Sequence, residues 1–464
     1  MTSCTHTLAE FAAGLSARHL PMPVREKLVW HLTDAIACGW AASGTEIGEL
    51  ARNAARWQGL GGCFVWGSPD GHAPMAAAFA NAMIINGLDH DDGVEIQGRG
   101  LGHPGASLVP AALAALQDAG QAVDAPSFLS ALAAGFEINN RLIHALQPSA
   151  EGFARVYGVA QHQAIGAAVV AARMWQMDAR AMHQAIGLAA TLSQVPSLHK
   201  YNWQARPLIT LKDGVAAAAQ AGIQAAGMVR LGIVGSQEVL DGEQGYWRMR
   251  GSDRFDEAAL VAGLGQDWFI RFGSFKAYPA CRWIATALEC LESILADTGW
   301  MAQDIAAIEV AGFARLVEDF MDVDPVNAND AQFSLPHTMA ALVHRLVPGE
   351  QWYSPATMQR PDLRATRRLV SARLDAQLDA AWNDAGRKPG ARVCVIHRDG
   401  RRQETHRQTP LGSTDRPLER DALGRKALRN VSGHISHPQR WLARLHSSAF
   451  WSQEVLTVSD LVSD

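Results

Sequence analysis

No two cysteines in this chain have CxxC spacing. The six, Cys4, Cys38, Cys63, Cys281, Cys290 and Cys394, lie too far apart for a secreted disulfide scaffold. The N-terminus, "MTSCTHTLAEFAAGLSARHLP", has no basic segment followed by an apolar run, so it does not read as a signal peptide. The most apolar stretch nearby, "AAAFANAMIINGL" (76–88), is too short and too polar to span a bilayer. The expected location is the reducing cytoplasm. Basic charge is not in excess: 41 Lys and Arg stand against 46 Asp and Glu, a net charge of -5. With charges mixed along the chain, neither a nucleic-acid partner nor a polybasic membrane contact is expected. GxGxxG, Walker A and GxSxG motifs are missing, which removes the dinucleotide, phosphate-loop and serine-hydrolase readings. No internal repeat or long low-complexity linker appears.

What remains is 464 residues, 48% hydrophobic and 19% charged, enough for a large core and more than one domain. The first 240 residues read mainly as helices. Residues 20–44 carry Pro23 in the first turn, apolar recurrence at three and four, and a closing Gly44. Residues 162–176 are apolar almost all round, as in a buried helix. Asp178 is placed to cap the next helix, and 212–232 is an alanine- and glycine-rich helix suited to close packing. Near residue 265 the character changes. Residues 305–313 alternate like a strand, and 391–408 read as a hairpin turning at Asp399-Gly400. Residues 336–347 and 362–382 between them read as helical, as does the tail at 415–431. The expected fold is therefore mainly α with a smaller α+β domain. Residues 1–265, completed by 415–464, would form the all-helical part and 266–414 the α+β part.

Three stretches carry chemistry. "NGLDHDDGVEIQGRGLGHPGAS" (86–107) sets Asp89, His90, Asp91 and Asp92 in succession after an apolar helix, and His103 returns before another. On a helix end Asp89 and Asp92 would share a face. The stretch reads as a solvated glycine-rich loop, a metal cluster or one wall of an active site. Its spacing fits neither HExxH nor an EF-hand, so no metal is assigned. "SFKAYPACRW" (274–283) offers Lys276, Cys281 and Arg282: a point charge and a planar fork for a carboxylate, or simply a surface loop. Lys212, ahead of an alanine-rich helix, is a snorkelling surface group, a partly buried amine with a lowered pKa, or a charge clamp on a substrate. His162 heads the apolar helix, where a lone histidine is more often core than catalyst.

These blocks, in order, resemble the MmgE/PrpD family, whose activities are of the 2-methylcitrate dehydratase, cis-aconitate decarboxylase and iminodisuccinate epimerase type. "AAAFANAMIINGLDHDD" resembles its helix running into an LDxDD motif. "HPGASLVPAALAAL", "KDGVAAAAQAGIQAAGMVRLGIVG", "FKAYPACRW", "AQFSLPHTMAAL" and "PLERDALGRKAL" resemble five further blocks. The resemblance implies a large helical domain with an α+β lid, the site between them, and a homodimer. It also implies cofactor-free chemistry on small di- or tricarboxylic acids, a dehydratase-like lyase first, an epimerase, decarboxylase or degenerate binder otherwise. Carried over by position, Asp89, His103 and Lys212 would be catalytic, with Asp89 and His103 as the acid/base pair. Lys276, Arg282, Cys281, Asp92, Tyr157 and His162 would bind substrate. The chain departs from the family pattern at Gly93, where many members have threonine, and at Ala285, where many have histidine. Tyr157 stands near a third family histidine, and Tyr157 or His162 would take over for it.

Overall fold

The computed structural model describes every residue except 1–2, 98, 156–159, 161, 194–205 and 385. Its larger part is a helical body. The elements that matter here are α1 (Met22–Ser43), α2 (Pro74–Ile85), α3 (Pro104–Gln117), α4 (Ala125–Ala145), α5 (Gln163–Met174) and α6 (Val215–Arg230). Later in the chain come α7 (Arg282–Thr298) and α8 (Arg420–Val431). Small residues set the spacing inside the body. α6 packs on α5 and α2, and α4 on α5. A side chain at Gly222 of α6 would sit 2.4 Å from Ala167 Cβ of α5, an approach only glycine allows. Asp178 caps the helix that follows α5, accepting from Ala181 N at 2.8 Å. Among the described residues no helix is long and apolar enough to cross a membrane.

Two sheets complete the fold. The first has three short strands, β1 (Gly93–Ile96), β2 (Arg99–Leu101) and β3 (Gly273–Ser274), in the order β2-β1-β3, all antiparallel. Residues 93–101 were expected to be loop. Residues 93–96 and 99–101 instead pair as antiparallel strands, with Val94 and Ile96 on one face against Ile143, Phe269 and Phe272. The second sheet holds β4 (Ile305–Gly312), β5 (Val370–Leu374), β6 (Ala391–His397) and β7 (Arg402–Arg407), in the order β5-β4-β6-β7. β6 and β7 are the expected hairpin, with Gly400 at φ 94° in the turn. α7 packs across β6 and β7, giving the expected small α+β domain beside a helical one.

One expected helix is not continuous. Residues 362–382 break into helix (Pro361–Arg367), strand β5 and helix (Ala376–Asn383). β5 is a mostly exposed edge strand with little apolar patterning of its own. Its pairing partner β4, some sixty residues away, decides its state.

The tail helix α8 packs on α1. Lys426 of α8 is buried, its Nζ 2.6 Å from Asp34 Oδ1 of α1, and it donates to His90 O at 2.6 Å. Burial pushes the Asp34 carboxyl up to about 6, although Lys426 pulls it down. Lys426→Met leaves that carboxyl without its cation, so the variant should lose about 3–5 kcal/mol of stability. The deficit should shrink as pH falls, since protonating Asp34 removes the buried charge. Urea denaturation at pH 5 and pH 8 reads both effects. An equal deficit at the two pH values would refute the charge argument.

Candidate active site

The helix end that carries the acidic run does not continue as a helix. A short turn at Asn86–Leu88 closes α2, and Asp89 enters the left-handed region at φ 51°. Helical spacing is lost there. Alternate residues, Asp89 and Asp91, therefore turn to one side, and the expected Asp89–Asp92 face does not form. Asp92 turns instead onto His31 of α1, whose Nδ1 lies 2.5 Å from its Oδ2, and accepts from Gly105 N at the start of α3. His90 is buried on the α8 side.

Asp89 is the centre of a charged cluster. Lys212 Nζ and Lys276 Nζ each lie 3.0 Å from Asp89 Oδ1, and Lys276 also donates to Asp89 O at 3.0 Å. Both ammonium groups are buried. Lys212 donates further to Asn86 Oδ1 at 3.0 Å and to Asp213 Oδ2 at 3.3 Å. It sits on a tight turn before α6 in which Asp213 has φ 61° and Gly214 φ 72°. His103, just before α3, places Nδ1 3.0 Å from Asp91 Oδ2. Its Nε2 faces Asp213 Oδ2 at 3.8 Å, too far for a hydrogen bond. Gln163 of α5 clasps the backbone of His103, accepting from its N–H and donating to its carbonyl, both at 2.9 Å.

Charge and burial tune the groups. Burial raises the Asp89 carboxyl, but Lys212, Lys276 and His103 outweigh it and hold it well below the usual carboxylate range. Burial likewise opposes ionisation of Asp91, and His103 with the lysines reverses it. For His103 burial lowers the imidazole, yet Asp91 and Asp213 leave it above its ordinary value. Lys212 is not the amine of lowered pKa that the sequence allowed: burial lowers it, but Asp89 and Asp213 hold it above the usual lysine value. Three carboxylates thus face two ammonium groups and an imidazole inclined to protonate.

The residues expected from the sequence divide clearly. Asp89, His103, Lys212 and Lys276 come together. Cys281 starts α7 beside them. Burial first, then the Asp89 charge, pushes its thiol up to about 12, which keeps it neutral. Arg282 stands one step out, its Nη1 2.5 Å from Glu95 Oε1 of β1. Asp92 faces away, as described. His162 packs edge-on to Tyr246 with centroids 5.9 Å apart. Burial, then Arg250, lowers it to about 3, so it stays neutral. Among the described residues no hydrogen bond or ion pair joins His162 to the cluster. Tyr157 lies outside the described residues.

Several contributors escaped the sequence reading. Asp213, Asn86 and Gln163 carry no motif of their own. The Gln332 side-chain amide donates to Gly87 O at 2.7 Å while the Gln332 backbone carbonyl accepts from Cys281 N at 3.0 Å, so this residue ties the acidic turn to the start of α7. Lys426, on the buried face of the tail helix α8, was not singled out either.

Oxygen and nitrogen atoms of Asp89, Asp91 and His103 approach within 4.8 Å of one another, a set that could hold a cation. Two ammonium groups already bind Asp89, and a divalent ion there would have to face both.

Fold and cluster together describe a helical part and an α+β part, with a buried cluster of lysines, carboxylates and a histidine built from Asp89, Asp91, His103, Lys212 and Lys276. Residues 6–257 match the MmgE/PrpD N-terminal domain and residues 278–448 the MmgE/PrpD C-terminal domain. The chain belongs to the MmgE/PrpD family. Among curated relatives, cis-aconitate decarboxylase of Homo sapiens is 22% identical over 455 residues, covering 94% of this chain and 89% of that protein. The Mus musculus enzyme of the same name is 22% identical over 449 residues, 93% and 87% of the two chains. Cis-aconitate decarboxylase of Aspergillus terreus is 24% identical over 305 residues, 62% and 60%.

Proposed function

We propose that the protein is a cofactor-free lyase of small di- or tricarboxylic acids, with a dehydratase-like reaction that begins by removing a C–H proton beside a carboxylate. The observation that carries this reading is the convergence of two buried ammonium groups beside an Asp91-backed imidazole. Lys212 and Lys276 bind a substrate carboxylate in competition with Asp89. They then hold the charge that gathers on that carboxylate as the enediolate forms. Asp89, too weak a base at neutral pH, anchors the lysines. Because Asp91 accepts from Nδ1–H, His103 Nε2 is the atom that gains and loses the proton. It takes the C–H proton, the electron pair moves into the carboxylate, and on return the pair expels a β-hydroxyl. The imidazolium protonates that oxygen, and water leaves. The same reading takes the protein as a homodimer in the cytoplasm. Its six buried, unbridged thiols accord with a reducing compartment.

The relatives favour a second reading, decarboxylation. There the C–C bond breaks, carbon dioxide leaves, the lysines hold the enolate, and imidazolium protonates carbon. pH separates the two. Neutral His103 serves the first, so its rate should climb with pH through a value above the ordinary imidazole range. Protonated His103 serves the second, so its rate should fall on that limb. The test is proton NMR in heavy water with 2-methylcitrate, citrate, cis-aconitate, malate, tartrate and aspartate-derived imines. Loss or exchange of a C–H signal, or a decarboxylated product, is expected. Silence across the panel with ligand line-broadening would replace the enzyme by a carboxylate-binding homologue.

A further inference from the structure

A cavity of about 590 Å³ shares no lining residue with the charged cluster. Its size suits a small-molecule ligand. The walls come from residues 15–18, Arg25 of α1, the start of α4, Arg173 of α5 and, from the tail, Trp451 and Ser452. Three of the lining side chains are guanidinium groups, those of Arg18, Arg25 and Arg173, and one is a carboxylate, that of Asp124. Asp124 is committed elsewhere: its Oδ1 accepts from Ser127 N at 2.6 Å and caps α4. Among the described residues none of the three arginines has an ion-pair partner.

Main-chain carbonyls hold two of these arginines in place. Arg25 donates from Nε to Leu20 O at 3.1 Å and from Nη2 to Ala17 O. Arg173 donates from Nη1 to Ala13 O, and from Nη2 to Leu15 O at 2.7 Å and to Ser130 Oγ at 3.2 Å. Both guanidinium groups are thus fixed against the end of the helix Cys4–Gly14 and the turn Ala17–His19. These bonds do not exhaust the five N–H groups of each. Arg173 Nε is buried without a partner, and Arg25 Nη1 makes no hydrogen bond among the described residues. Burial lowers the Arg173 guanidinium, and no carboxylate counters it.

The walls select among anions. Three cations against one carboxylate leave two positive charges unmatched, which fits a dianion. Guanidinium groups approaching from three separate chain segments suit the several acceptor oxygens of a phosphate. The Ser16 and Ser127 hydroxyls line the same cavity and donate to no group among the described residues. Leu15, Leu129 and Trp451 add apolar wall, so the volume left beside a phosphate accepts a small organic group.

We propose that this cavity is a second ligand site, in which Arg18, Arg25 and Arg173 hold a small phosphate monoester. It is independent of the acid chemistry assigned to the charged cluster. Its walls join the N-terminal segment, α4, α5 and the tail, so a ligand there ties distant parts of the helical body together and raises its stability.

The experiment is calorimetric titration of the full chain with inorganic phosphate and glycerol 3-phosphate, on wild type, Arg18→Glu, Arg25→Gln and Lys212→Met. Thermal melts without ligand check that the variants are folded. Arg25→Gln gives up the bonds to Ala17 O and Leu20 O, whereas the exposed Arg18 side chain makes no hydrogen bond among the described residues. Arg18→Glu therefore keeps the test open if Arg25→Gln does not fold. Wild type should bind glycerol 3-phosphate, and more tightly than inorganic phosphate. Arg18→Glu and Arg25→Gln should each weaken that binding by about tenfold or more, the worth of a hydrogen bond to a charged group. Lys212→Met should leave it unchanged. Failure of wild type to bind either phosphate would overturn the site, as would binding that survives Arg18→Glu unaltered. Loss of binding in Lys212→Met would also overturn it, by placing the phosphate in the charged cluster. Equal affinity for the two phosphates would overturn the monoester assignment and leave an adventitious ion only.

Discussion

Replacing Lys212 by methionine should lower kcat/KM by about 10³-fold, the scale seen when a preorganised donor to a developing oxyanion is lost. The expectation follows from where the ammonium sits. It is buried, lies 3.0 Å from Asp89 Oδ1, and is held charged by Asp89 and Asp213. The charge is therefore fixed in place before substrate arrives, and no solvent must reorganise as the enediolate forms. Methionine keeps the volume and removes the charge. It also leaves Asp213 and the Asn86 carbonyl without their shared donor, so some stability goes with the activity. Lys212→Arg separates the two effects. It restores a cation to Asp89 and Asp213, and so restores stability, but a planar fork cannot occupy the position of a single Nζ. Steady-state kinetics and urea denaturation of both variants make the comparison. Lys212→Met activity within tenfold of wild type would remove Lys212 from the mechanism.

Much of this was legible in the sequence, and the failures have identifiable causes. The buried helices announced themselves because small apolar residues on every face leave no other place for a segment to go. The α+β change of character near residue 265 was visible because β4 and the β6–β7 hairpin alternate with period two and turn at an Asp-Gly pair. β5 was invisible because an exposed edge strand has little apolar patterning, and only its long-range partner β4 fixes it. In the site, Asp89, Lys212, Lys276 and His103 were recognisable as chemistry. Their partners were not. The sequence offered helical spacing for Asp89–Asp92, but a left-handed Asp89 re-paired the run as Asp89 with Asp91 and sent Asp92 to His31. A single backbone angle of that kind is set by tertiary packing, here by Lys426 and Gln332 reaching in from elements hundreds of residues away. Lys426 and His31 were hard to foresee for the same reason: each looks like an ordinary helical residue until its buried partner is known.

His103→Ala should cost about 10²–10⁴ in rate, the range for a lost general acid or base. It should also erase the pH limb that lies above the ordinary imidazole value in wild type. The second result is the sharper one, because a merely structural histidine would lower activity without moving the profile. Stability should change with pH in a definite direction. His103 has a raised value in the folded state, so its contribution is fully present below the ordinary imidazole value and is lost as pH rises through the raised one. Asp91, with a lowered value, contributes above the usual carboxylate range and loses that contribution as pH falls. The stability gap between wild type and His103→Ala should therefore be widest in mildly acidic solution and should close at alkaline pH. His103→Gln tests whether position or protonation matters. Its side-chain amide can still face Asp91 but carries no transferable proton, so it should recover part of the stability and none of the rate. If His103→Gln instead retains the wild-type pH limb, the proton is moved by another group, and the pairing of His103 with Asp91 serves only to hold the start of α3 against the acidic turn.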